Sequence, residues 1–157
     1  MTPPAGGPPW PDSVPISPDD PDFEWIRQFA LGLVEQVRPW LPPDIRIYIE
    51  NEQTQFVKVT DEAGIWFKYH VPEMLTNDWR PHRQPRMERV ELTLSGFLHQ
   101  LQDYLVIHTR RPWPGSSERE LPKVRVEILG NIAQGWFEPV QGEGPVLYFA
   151  IPPERRH

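Results

Sequence analysis

A chain of 157 residues carrying seven Trp, seven Phe and four Tyr has the length and bulky apolar content for one folded unit around one core. It has no cysteine, which excludes disulfides, thiol nucleophiles and thiolate metal sites. The net charge is −6, and the first 22 residues hold Asp12, Asp19, Asp20 and Asp22 with no Lys or Arg, so a nucleic-acid partner is disfavoured.

Residues 1–18 carry seven prolines and the pair Gly6-Gly7. That composition buries too little apolar surface to offset ordering entropy, and it predicts a disordered, polyproline-like tail. No basic start or apolar h-region marks a secretory signal, and no run has the length of a membrane span, so the expected location is cytoplasmic. A helix is predicted from about Asp20, with Pro21 at its first position and acids in its first turn. Ile26, Phe29, Ala30, Leu33, Val34 and Val37 form its apolar stripe, and Pro39 is expected to stop it by restricting Arg38.

Ile45, Ile47 and Ile49 alternate with Arg46, Tyr48 and Glu50, the period of a half-buried strand. Val57 and Val59 continue a meander, and Ile65, Phe67, Tyr69 and Val71 alternate with Trp66, Lys68 and His70 as its third strand. Residues 73–86 show no period and contain two prolines, which predicts a loop that is either a linker or a site. A second helix is predicted from Pro85 to Thr109 on the stripe Val90, Leu94, Phe97, Leu98, Leu101, Leu105 and His108. Gly96 in its middle costs about 1 kcal/mol against Ala, which points to close approach by another element or a local bend. Val124, Val126 and Ile128 begin a second meander, continued by Ile132–Phe137 and Val146–Ile151. The last strand is apolar at every position, which predicts either a central place in a sheet or cover by a partner.

The order helix, Arg-Pro-Trp, alternating strand, second strand, Gly-led third strand, Pro occurs twice, with Arg38-Pro39-Trp40 and Arg111-Pro112-Trp113 in equivalent places. The expected fold is therefore α+β, a single domain over residues 19–157. It comprises two αβββ halves, 19–72 and 86–153, joined by loop 73–85, with antiparallel sheets and helices packed on one face. Trp40 and Trp113 are expected to plug the gap between helix end and first strand.

Candidate chemistry is sparse. His99 and Asp103 share a helix face and suit a solvated pair. His70, His82 and His108 can be imagined around a cation with Asp78 or Glu73, but their spacing follows no ligand signature, and no metal or cofactor is expected. No Gly-rich phosphate cradle and no nucleophile-elbow serine is present, and no catalytic residue is assigned. Trp79 with Arg80, His82, Arg83, Arg86 and Arg89 suits either an anionic ligand or a solvated basic loop.

The run Leu101-Gln-Asp-Tyr-Leu-Val-Ile-His-Thr-Arg-Arg-Pro-Trp-Pro114 resembles a Leu-Gln-Asp…Thr-x-x-Pro-Trp-Pro pattern of small uncharacterised, actinobacterial-type bacterial proteins. The resemblance covers about a tenth of the chain and implies no activity. The helix-plus-three-strand order is also similar to bacterial secretion-chaperone folds, minus the third, C-terminal helix many of them carry.

The function expected is non-enzymatic: a protein-binding, adaptor or chaperone-like protein that recognises a protein partner or self-associates. Its expected surface is the sheet face bearing Arg46, Tyr48, Trp66, Lys68, His70 and Arg125. The candidate binding residues are Trp66, Lys68, His70, Trp79, Arg80, His82, Arg83 and Arg86. The alternative is an enzyme for a small molecule or phosphoester, with a pocket near residues 73–89 built from His70, Arg80, His82 and Arg83.

Overall fold

The structure, a computed structural model, describes residues 17–50, 55–76, 85–114, 122–138 and 145–153. Helix α1 spans Phe23–Val37 and is followed by a 3₁₀ turn, Arg38–Trp40. Strands β1 (Arg46–Ile49), β2 (Phe56–Thr60) and β3 (Trp66–His70) come next, then a short helix α2 (Val71–Thr76) and the long helix α3 (Arg86–Thr109). Strands β4 (Lys123–Leu129), β5 (Ile132–Glu138) and β6 (Leu147–Ala150) follow.

The strands form two separate antiparallel meanders, ordered β1-β2-β3 and β4-β5-β6. Each follows a long helix, so the chain is α+β and its two halves carry the same sheet topology. In the first sheet Ile47 pairs with Val59 and Val59 with Phe67; in the second, Val126 pairs with Gly135 and Gly135 with Leu147.

One buried cluster joins both halves. All six stripe residues of α1 are buried, as the 3.6-residue period requires. Helix α1 touches β1 and β2 of one sheet and β6 of the other. Helix α3 packs on β4 and β5, while Phe97 and Tyr104 meet the rings of Phe67 and Tyr69 on β3. The helices are thus the shared layer between the sheets, and neither half closes its core alone.

Gly96 shows why a glycine interrupts α3. A Cβ there would stand 2.6 Å from the Tyr69 hydroxyl, which donates a 2.7 Å hydrogen bond to the Thr93 carbonyl. Close approach, the first of the two expected reasons, is the reason.

Several local expectations change. Helix α1 begins at Phe23, because the Asp20 carboxylate accepts the Asp22 N–H (2.8 Å) and holds a turn ahead of it. Pro39 does not push Arg38 out of helical geometry; Arg38 stays right-handed and the chain tightens into the 3₁₀ turn with Pro39 in its first positions. The third strand ends at His70, and Val71, Pro72 and Leu75 turn inward as the buried side of α2, so the connection between the halves starts with a helical turn. Strand β6 is an edge strand with alternating burial, its Leu147 and Phe149 inward and Tyr148 and Ala150 outward. Apolar residues on its outer face are simply exposed there. Trp113 packs edge-on against Phe137, whereas its repeat counterpart Trp40 is 41 % exposed and plugs nothing. Among the described residues no helix is long and apolar enough to cross a membrane.

Candidate functional site

The outer face of the first sheet carries three of the expected binding residues, Trp66, Lys68 and His70. Across the strands Lys58 pairs with Lys68, and Thr60 with Trp66. The two ammonium groups lie 4.9 and 5.0 Å from the centroid of the half-exposed Trp66 ring, in cation–π range. Glu50 answers both lysines, at 2.6 Å from Lys68 and 3.7 Å from Lys58, and the hydrogen bond from Lys68 holds its carboxyl below the usual range. His70 stands at the other end of β3, stacked on Phe56 and 3.6 Å from Glu73. Arg125 belongs to the second sheet and pairs with Glu138, so the charged face imagined from the sequence is divided between two sheets. Trp79, Arg80, His82 and Arg83 lie outside the described residues.

His70 and His108 do not converge. His108 sits between two carboxylates, 2.7 Å from Asp44 and 3.3 Å from Asp61, both contributed by turns at the ends of strands. Its hydrogen bond lowers the Asp44 pKa. Beside it the Tyr104 phenol is pushed up to about 12, mainly by burial and then by the Asp61 and Asp44 charges, and it donates to the Ile65 carbonyl. The cluster ties the end of α3 to the first sheet. His99 folds back on Ser95 within its own helix, and Asp103 is exposed. Among the described residues no three His, Asp or Glu side chains are grouped to hold a metal ion.

A concave feature lies elsewhere among the described residues, between α1 and the edge of the second sheet. A groove of about 530 Å³ runs there, lined mostly by apolar atoms. Trp25, Gln28, Gly32 and Gln36, spaced three or four apart along one helical stripe, form its α1 wall together with Phe29. Tyr148 to Pro153 form the opposite wall, with Asn131 at one end. Two contacts fix the walls. Phe29 stacks on Phe149 with ring centroids 4.2 Å apart, and Gly32 lets the helix come close, since a Cβ there would stand 2.7 Å from the Phe149 ring.

The strand edge that faces this groove is capped at Tyr148. The Gln36 amide donates to the Tyr148 carbonyl (3.0 Å) and accepts the Tyr148 N–H (2.8 Å), as a neighbouring peptide group would. Pro145 precedes β6, and Pro152 and Pro153 follow it. Prolines and a side-chain cap are recognised ways of blunting an edge. On the outer face beside the groove, Leu129, Ile132 and Tyr148 are 59 %, 43 % and 55 % exposed, and the register sets Leu129, Ile132 and Ala150 side by side.

Arg86 anchors one end of this groove. Among its contacts, its guanidinium donates to Asp22 (2.7 Å), to the Pro152 carbonyl (3.2 Å) and to the Pro153 carbonyl (2.6 Å), and it lies 4.7 Å from the Trp25 ring centroid. Arg86 is 3 % exposed and Arg89, which donates to the Leu75 carbonyl (2.6 Å), is 1 % exposed, so both of these basic residues are built into the fold. The groove itself was invisible to sequence reasoning, because its walls are more than a hundred residues apart. Its one sequence signal is the partly apolar second stripe on α1, Trp25, Gln28, Gly32 and Gln36, beside the main one.

No protein family, curated protein or solved structure matches this chain.

Proposed function

We propose that this protein is a non-enzymatic protein-binding or adaptor module, and that it takes up an extended apolar segment of a partner in the groove between α1 and β6. The observation that carries this reading is the groove: about 530 Å³, apolar, with aromatic rings in both walls and polar groups at its rim. Such concave, mostly apolar surfaces with a few placed polar groups are the usual form of a binding site. The exposed Leu129–Ile132–Tyr148 surface beside it gives a bound segment somewhere to continue. The first sheet's outer face suits this role less well, because its lysines, Glu50 and Trp66 already satisfy one another.

The test is selection of peptides from a random display library on the wild-type chain, followed by comparison with Ala150→Arg. Ala150 is an exposed lining residue, so the longer side chain fills the groove without entering the core. Selected peptides should bind the wild type and lose tenfold or more in affinity for the variant. Peptides that bind both equally, or an enrichment that never exceeds background, refute the assignment.

A further inference from the structure

The capped edge of β6 narrows what the groove accepts. An added β-strand needs unpaired N–H and C=O groups in series, and here Gln36 holds those of Tyr148 while prolines stand on either side of the strand. A polyproline segment makes no such demand. It carries few backbone donors, stays extended without internal hydrogen bonds, and docks through ring packing against aromatic walls. Trp25 and Tyr148 supply the accessible rings of those walls, over the buried stack of Phe29 on Phe149.

A segment of that chemistry belongs to this chain. Residues 1–16 include Pro3-Pro4, Pro8-Pro9-Trp10-Pro11 and Pro15. Their point of attachment is fixed beside the groove. The Arg86 guanidinium holds Asp22, the Pro152 and Pro153 carbonyls and the Trp25 ring in one place, so the chain emerging toward Ser17 starts at the groove's end. From Glu24 to Gln36 the α1 wall is about 18 Å long at 1.5 Å per residue. At about 3.1 Å per residue, the seven steps from Ser17 back to Trp10 span about 22 Å, enough to lay the indole along that wall.

We infer that residues 1–16 occupy the groove of their own chain, with Trp10 and its flanking prolines against Trp25 and Tyr148, so that a partner must displace them. This rests on the reading of the groove as a receptor for extended segments, and it names the chemistry received: a proline-rich stretch carrying an aromatic residue.

The chain has no cysteine, so a single nitroxide can be placed at Ala5→Cys in the full-length protein. The label should broaden the backbone amide signals of Gly32, Gln36 and Tyr148 well beyond those of β2, and Trp10→Ala should abolish that difference. Labelled chain mixed with unlabelled, isotope-enriched chain should give no broadening. Equal broadening with and without Trp10, or no groove broadening at all, overturns the inference. Broadening only in the mixed sample also overturns it, since the occupant is then a second copy. A library-selected groove peptide should bind Trp10→Ala at least threefold more tightly than wild type. If no peptide binds but the intramolecular broadening stands, the partner-binding role fails and the tail contact survives. If peptides bind the groove with unchanged affinity in Trp10→Ala and the broadening is absent, the tail contact alone fails.

Discussion

Replacing Gly96 should change sign with the residue at position 69. In a helix interior Ala is favoured over Gly by about 1 kcal/mol. In the wild-type chain, however, the new methyl group would lie 2.6 Å from the Tyr69 hydroxyl, inside any tolerated contact. The phenol is buried and bound to the Thr93 carbonyl, so it can yield only by giving up that hydrogen bond and leaving a polar group unpaired. The bond contributes about 1 kcal/mol net, a buried unpaired group costs about 1–3, and overpacking costs a similar amount. Gly96→Ala is therefore expected to destabilise the wild type by about 2 kcal/mol after the helix gain is credited. Tyr69→Phe alone should cost about 1 kcal/mol. With the hydroxyl gone, the nearest atoms to the new methyl are ring carbons at 3.5 and 3.6 Å, an ordinary contact. In the Tyr69→Phe background Gly96→Ala should then stabilise by up to about 1 kcal/mol, giving a coupling near the top of the range seen for touching residues, about 3 kcal/mol. Urea unfolding of the four chains, followed by far-UV circular dichroism and tryptophan fluorescence, measures the cycle. An equal effect of Gly96→Ala in both backgrounds would falsify the reasoning.

Three further outcomes are expected. Asp22→Ala removes one side of a buried ion pair, so it should cost about 3 kcal/mol in the same assay; a loss under about 1 kcal/mol would contradict the anchoring role. Gln55 is fully buried with neither side-chain amide atom hydrogen-bonded among the described residues, so Gln55→Met should raise stability by about 1–2 kcal/mol, whereas a destabilised variant would mean the amide has a use. Burial raises the Tyr69 phenol above its ordinary value of 10.0, so the stability linked to its neutral form is complete below pH 10 and is lost as pH climbs from there toward the folded-state value. Wild type should consequently lose stability faster than Tyr69→Phe above pH 10, by at most about 1.4 kcal/mol per pH unit, and parallel curves would refute this.

Elements whose partners are set by local periodicity were legible in the sequence. The α1 stripe, the span of α3 to within one residue at its start, and the six strands all follow from spacing that a one-sided burial imposes. The duplicated order of helix and three strands was legible for the same reason, because it repeats local patterns. What escaped was decided by distant groups. Asp22 looked like a first-turn acid, but its carboxylate is engaged by Arg86, 64 residues away. Val71 and Pro72 continued a strand pattern, yet their side chains find cover as part of α2. The exposed outer residues of β6 could not be told from buried ones, since both are apolar. For the candidate site the sequence supplied Arg86 and the proline-rich segment as separate curiosities; only the folded chain sets one beside a groove suited to the other.

The Arg86 guanidinium also dictates when this molecule can be finished. It clasps a carboxylate near the beginning of the chain and two carbonyls at Pro152 and Pro153, close to its end. Closing loops of more than sixty residues on both sides is slow relative to local helix formation. During synthesis from the ribosome, α1 and α3 can form early, but the bonds from Arg86 to Pro152 and Pro153 and the wall of β6 against α1 must wait for β6 to emerge. Until that moment Trp25 and Phe29 lack their cover, and the nascent chain offers its stickiest helix to whatever is nearby.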